Sequence, residues 1–324
     1  MPLYWRHSKL DPEGCRDLPN ADQELLLRHL GIDDPAAWEN GWEITGVIQN
    51  TARIWPVGAR SDWLWSLGLP LLTEVQRHQG KRWLIGLSAL PGCGKTSLGR
   101  WLEAAAAHRG LSLQVVSIDD FYFSADKLES SMRGNPWGVP RALPGSHELE
   151  LLKSTIQRWK GGHDVLHPLF DKALRQGRGD RSGWRTCSAD VLVLEGWFVG
   201  VKPSYDDETS PGASSWIDPP LTNQELAARR RVQRALKEYI PVWEQIDTLW
   251  QLRTLEWTSP RIWKLQQEQQ MKRDRGTGLS PEVLDGFIRM ITSAIPEASF
   301  SRMGADVCLE VDPERRLRHL RVRS

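Results

Sequence analysis

The stretch SALPGCGKTSL, residues 88–98, decides how the rest of the chain is read. Within it, Ala89 to Thr96 run A-L-P-G-C-G-K-T, close to the phosphate-cradling pattern G-x-x-x-x-G-K-[ST] with alanine at the first position. Gly92 and Gly94 free the backbone to turn successive N–H groups toward phosphate oxygens, and a helix beginning at Lys95 adds its positive end. Lys95 is placed to reach the β- and γ-phosphates and the Thr96 hydroxyl to reach Mg²⁺, so Ala89, Gly92, Cys93, Gly94, Lys95, Thr96 and Ser97 form the expected nucleotide cradle. Cys93 reads as a small packing residue, the alternative being a thiol made reactive by its positive surroundings. No N-K-x-D guanine-reading motif follows, which favours ATP.

The neighbouring segments fit that reading. KRWLIGLS (81–88) is a short apolar run of the kind buried in a parallel sheet, and KTSLGRWLEAAAAHRG (95–110) is a helix closed by Gly110. LSLQVVSI (111–118), DVLVLEGW (190–197), DTLWQLRT (247–254) and DVCLEVD (306–312) read as further strands, and PERRLRHLRV (313–322) as a strand with a solvated face. Helical stretches at 223–239 and 259–276 separate the later ones. Strands alternating with helices predict an α/β three-layer sandwich with a mostly parallel sheet. Before it, residues 1–78 read as an N-terminal helical extension for packing or oligomerisation, with Asn20 as a helix N-cap, Gly31 as a stop and Pro70 breaking the helical stretch 61–80. Residues 79–324 form the expected nucleotide-binding domain. TSPGASSW (209–216) reads as a surface loop.

Composition narrows the function classes. A net charge of +1 over 324 residues gives no broad field for nucleic acid or anionic lipid. Cys15, Cys93, Cys187 and Cys308 lack metal-ligand spacing or a disulfide framework, which points to a reducing, cytoplasmic setting. No apolar run approaches the roughly 18–20 residues of a membrane span, and the acidic N-terminus does not read as a targeting peptide. The 17 tryptophans read as core packing.

Chemistry on the acceptor side should come from the strand ends, because ligands of open parallel sheets bind beyond the carboxyl edge. Asp119 and Asp120, in SIDDFY (117–122), fall there: one carboxylate can take the proton of an attacking hydroxyl, while the other caps the next segment. Glu195 ends the apolar strand VLVLEG and has the character of a Mg²⁺-holding acid. Asp171, Lys172, Arg178 and Arg181 lie in a glycine-rich loop or short hairpin (167–184), where arginine forks suit a carboxylate or phosphate and Asp171 suits a hydroxyl. Lys272, Arg273 and Arg275, ending a long helix, are candidates for a lid over the phosphates.

SALPGCGKTSL, SIDDFY, PGSHELEL (144–151), FDKALRQGRGDRSGW (170–184) and VLVLEGWFVG (191–200) occur in the order seen in the D-glycerate 3-kinase family, which this sequence resembles over about residues 80–312. WKLQQEQQMKRDRGTGLSPEVLDGFI (263–288) is similar to that family's late helices. The resemblance implies a P-loop kinase, related more distantly to uridine, pantothenate and phosphoribulokinases. It implies ATP- and Mg²⁺-dependent conversion of D-glycerate, a small-molecule partner, to 3-phospho-D-glycerate in the photorespiratory glycerate pathway. It further implies Asp119, in preference to Asp120, as base, Lys172, Arg178 or Arg181 on the glycerate carboxylate, and His147 in the same pocket. One departure is the proline-rich stretch ESSMRGNPWGVPRALPGSH (129–147), where a shorter segment is expected. Kinases of other hydroxylated metabolites, such as nucleosides or pantothenate, and a non-catalytic nucleotide switch are the competing readings.

Overall fold

The computed structural model describes residues 18–55, 61–204, 217–276 and 279–323. Helices α1 (Asn20–His29), α2 (Pro35–Ile44), α3 (Val47–Thr51), α4 (Ser61–Trp63) and α5 (Leu69–Arg77) precede strand β1 (Trp83–Ala89). Then follow α6 (Lys95–His108), β2 (Leu113–Ser117), α7 (Ala125–Met132), α8 (Leu149–Lys160), and a hairpin of β3 (Val165–Asp171) and β4 (Asp180–Cys187). The remainder is β5 (Val191–Gly196), α9 (Asn223–Trp243), β6 (Thr248–Thr254), α10 (Ser259–Arg275), α11 (Pro281–Ser293), α12 (Glu297–Ser301), β7 (Val307–Val311) and β8 (Leu317–Val322).

One six-stranded sheet runs β2-β5-β1-β6-β7-β8, parallel except for the antiparallel edge strand β8, with helices on both sides. The chain leaves β1 toward β2 on one flank and reaches β6 on the other. The carboxyl end of β1 is therefore the point where strand order reverses, and a crevice opens there. Every residue of β5, and all of β1 after Trp83, is buried, as a strand covered on both faces requires. The glycine-rich segment after β3 forms the turn of the separate two-stranded β3–β4 hairpin.

The N-terminal helices share the core of the sheet. Asp22 of α1 accepts the Leu320 N–H of β8 at 2.8 Å, Trp101 of α6 donates to Thr51 of α3 at 2.9 Å, and Glu74 of α5 accepts the Trp250 indole at 2.6 Å. Burial pushes the Glu74 carboxyl up, which suits an acid enclosed by indoles. Two local expectations are corrected. Asn20 is the first helical residue, preceded by Pro19 as cap, and its side chain makes no capping bond. Pro70 does not break its helix but sits in the first turn of α5, where its missing N–H costs nothing; the irregularity lies earlier, in a π-turn at Leu64–Gly68.

Among the described residues ten tryptophans are buried, and the indoles of Trp159, Trp197, Trp243 and Trp263 donate to backbone carbonyls. Tryptophan thus serves mainly as core filler, and these four indoles have their polar edge satisfied. Among the described residues no helix is long and apolar enough to cross a membrane. The stretch 209–216 lies outside the described residues.

Candidate active site

The β1–α6 loop is held open from three sides. Gly92 (φ +80°) and Gly94 (φ +122°) adopt backbone conformations that L side chains rarely enter. A Cβ on Gly92 would lie 2.8 Å from the Trp263 backbone of α10, so that helix packs directly on the loop. Arg315, from the β7–β8 turn, donates to the Gly92 carbonyl at 2.9 Å, and the Trp63 ring of the N-terminal helices closes on Gly94. Cys93 is buried, and burial pushes its thiol up to about 11, so it packs and is not a ready thiolate. Lys95 is also buried; its ammonium donates to the Ala89 carbonyl at 2.5 Å, and burial lowers its pKa.

A cleft of about 550 Å³ opens over this loop. Pro91, Gly92, Lys95 and Thr96 form one wall, with Glu195 at the end of β5 beside them. The Thr96 hydroxyl and Glu195 Oε1 are 3.4 Å apart. Hydroxyl and carboxylate are hard oxygen donors suited to Mg²⁺, which takes few protein ligands and completes its shell with water and phosphate. Ala89, Cys93, Gly94 and Ser97 belong to the loop or its helix but not to the cleft wall.

The adjacent aspartates face opposite ways. Asp119 lines the cleft, accepting from the Tyr122 hydroxyl at 2.7 Å and pairing with Lys172 at 2.5 Å. Burial works to raise its pKa, but the Lys172 ammonium and the Tyr122 hydroxyl hold it well below the usual carboxylate range. Asp120 turns into the chain, accepting the Phe170 N–H at 3.1 Å and closing a capping box with Ser117. Burial outweighs those two N–H bonds and pushes it up to about 6.

Of the remaining candidates among the described residues, the structure brings only Lys172 to the cleft. Asp171 caps the hairpin turn by accepting the Ala173 N–H at 2.8 Å. Arg178 pairs with Glu129 at 2.8 Å, and Arg181 pairs with Glu148 and donates to the Tyr122 carbonyl. His147 is buried behind Tyr122, their rings stacked at 4.4 Å, with Nδ1 2.8 Å from the Tyr239 hydroxyl. Burial lowers His147 to about 4, so it is neutral at pH 7. Lys272 and Arg273 are exposed and do not line the cleft, and the Arg275 side chain lies outside the described residues.

Sequence reasoning missed the part of the cleft outside the phosphate loop, where Tyr122, Arg141, Lys264, Glu268 and Phe287 form the lining. Lys264 pairs with Glu268 at 2.7 Å, one helical turn apart. Its i,i+4 spacing was readable but is common on solvated helices. Arg141 falls within the proline-rich departure 129–147, the one signal that this part of the lining would be unusual.

Sheet order and phosphate loop together define the P-loop kinase fold, with a single cleft serving loop and strand-end carboxylates. Homologues of the chain include D-glycerate 3-kinase. The D-glycerate 3-kinase of Cryptococcus neoformans superposes with a TM-score of 0.65 at 25% identity, covering 86% of this chain and 99% of that one. The chloroplastic D-glycerate 3-kinase of Arabidopsis thaliana is 30% identical over 218 residues, 63% of this chain and 45% of the plant protein. An uncharacterized kinase of Schizosaccharomyces pombe, mug58, is 29% identical over 231 residues, 68% of this chain and 82% of its own length. No protein-family model matches. These relatives support a phosphotransferase that uses ATP.

Proposed function

We propose that the protein phosphorylates D-glycerate on its 3-hydroxyl with ATP, residues 79–324 carrying the reaction. The observation that carries this reading is that Lys95 and the Asp119–Lys172 pair line one cleft. Lys95 exchanges the Ala89 carbonyl for phosphate oxygens when the triphosphate enters the loop. Thr96 and Glu195 would hold Mg²⁺, which when bound screens the charge of the phosphates. Asp119 orients the acceptor hydroxyl toward the γ-phosphorus and receives its proton as the new P–O bond forms and ADP departs. Its depressed pKa makes it a weak base, which suits a loose phosphoryl transition state in which positioning outweighs basicity. The rest of the lining sets Arg141, Lys172 and Lys264 among Tyr122, Trp197 and Phe287, and its cations suit the carboxylate of a small hydroxy acid.

The test is to incubate the purified protein with ATP, Mg²⁺ and, separately, D-glycerate, uridine and pantothenate, following ADP release and product mass. Turnover with D-glycerate alone, giving 3-phosphoglycerate, is expected. Turnover only with uridine or pantothenate reassigns the acceptor, and ATP binding without turnover on any acceptor favours a nucleotide switch.

A further inference from the structure

We infer that Arg141 is the residue that binds the acceptor's carboxylate and sets the preference for an acid over a neutral polyol; the inference rests on the hydroxy-acid reading above. Arg141 is 7% exposed and lines the cleft that also contains Lys95 and Asp119. A buried guanidinium is ordinarily paired with a carboxylate, because desolvating an uncompensated charge is costly. Among the described residues no carboxylate lies within ion-pairing distance of Arg141. Its protein acceptors are the carbonyls of Gly177, at 2.5 Å, and Arg178, at 3.0 Å, both bonded through Nη1. That leaves the Nε–Nη2 edge without a protein acceptor. This edge is the fork whose two parallel donors match a carboxylate.

Of the other cations on the cleft, Lys95 belongs to the phosphate loop, and Lys172 and Lys264 are engaged with Asp119 and Glu268. Outside the phosphate loop, Arg141 is the cation of the cleft that no carboxylate pairs with among the described residues. Burial lowers its pKa against the opposing charges of Asp119 and Glu268 nearby.

The loop that carries it is built to hold a position. Asn135 bridges the loop by donating to the Met132 and Val139 carbonyls and accepting the Val139 N–H. The Trp197 indole donates to the Ala142 carbonyl at 2.9 Å, and the Gly145 N–H donates to the Tyr239 hydroxyl at 2.9 Å. Ala142 sits at φ +87°, a strained conformation that the surrounding bonds maintain next to Arg141. The Phe287 ring of α11 lies under the guanidinium, its centroid 5.6 Å from Cζ. A fixed fork with one edge free of protein acceptors, on a residue that lines the same cleft as the base, suits the carboxylate of a three-carbon acid better than a mobile surface arginine would.

The experiment compares the full-length wild type with Arg141→Gln and Arg141→Lys, using D-glycerate and its uncharged analogue glycerol as acceptors. KM and kcat are measured for each acceptor, KM for ATP is measured alongside, and ATP binding by calorimetry reports whether the variants fold. In Arg141→Gln, the ratio of kcat/KM for D-glycerate to that for glycerol should fall about 100-fold, with KM for ATP within about threefold of wild type. Arg141→Lys keeps the charge but loses the fork, and the ratio should fall about tenfold. An unchanged ratio, with both acceptors losing activity alike, makes Arg141 structural and overturns the inference. A rise confined to KM for ATP assigns it to the phosphates and overturns it equally. A wild type that ignores D-glycerate overturns the parent reading, whereas an active wild type with an unselective Arg141→Gln variant overturns this inference alone.

Discussion

The two walls of the cleft follow opposite plans. The nucleotide wall is one continuous run of chain, from the end of β1 through residues 89–96 into α6. The other wall gathers Arg141 from a loop, Lys172 from a hairpin turn, Lys264 from α10 and Phe287 from α11. A continuous run carries its geometry in its own residue types, whereas an assembled wall depends on packing between segments distant in sequence. Substitutions in the first should therefore act through local backbone shape and charge. In the second, they should act according to what each side chain touches.

The largest effect is expected where the walls meet. Asp119→Asn removes the carboxylate facing the cleft and should lower kcat by about 10³, within the range for a lost general base, while KM for ATP changes less than twofold. Asp120→Asn alters a carboxyl that only holds backbone N–H groups and should reduce kcat less than about tenfold. Steady-state kinetics on the two variants read the contrast directly, and equal losses would mean that the adjacent aspartates share the role.

Breaking the continuous wall needs only a methyl group. Gly92→Ala adds a Cβ at φ +80°, 2.8 Å from the Trp263 backbone, a contact that the structure must shift to relieve. Calorimetry should show ATP affinity falling by about 30-fold, from backbone strain of about 1–3 kcal/mol and a displaced loop. Normal affinity would show that α10 yields easily and that the loop is less firmly clamped than its three contacts imply.

What could be read in advance divides along the same line. The alternation of apolar runs and helices gave the mostly parallel sheet, and the strand with a solvated face at 313–322 was also visible, although its antiparallel direction was not. The loop glycines were identifiable because positive φ selects for glycine. The other wall was illegible for a physical reason. Arg178 and Arg181 share the composition of an anion-binding loop, but their partners, Glu129 and Glu148, come from elsewhere in the chain and draw them away from the cleft. Arg141 is surrounded by prolines and glycines and resembles any loop arginine until Gly177 and Phe287 are placed beside it. The helix boundary at Asn20 failed for a smaller reason, because Pro19 took the cap position itself.

The aspartate contrast sharpens with pH. Asp120 has a folded value near 6, above the unfolded value of about 3.9, so the folded state holds its proton more tightly. Its stabilising contribution is full below about pH 4 and is lost as pH rises through 6, on the order of 3 kcal/mol. Asp119 has the opposite sign: its folded value is depressed, so its contribution is present above the unfolded value and is lost as pH falls. Asp120→Asn should accordingly gain on wild type between pH 4.5 and 7.5 in urea unfolding, whereas Asp119→Asn should lose ground as pH rises through about 4. Parallel curves for the two variants would remove the distinction between a carboxyl facing the cleft and one facing the chain.

The smallest effect tests the assembled wall by a residue that composition favoured and geometry does not. Arg178 is 53% exposed, pairs with Glu129 at 2.8 Å, and shares the hairpin turn with Lys172 without lining the cleft. An exposed ion pair contributes about 0–1 kcal/mol, so Arg178→Ala should shift stability by no more than that. KM for D-glycerate should change less than about twofold, because the Arg178 carbonyl, not its side chain, is what Arg141 holds. A tenfold rise in KM would mean that the turn swings inward when the acceptor binds, bringing a second guanidinium to the carboxylate. The wall would then be assembled by the ligand as well as by the fold.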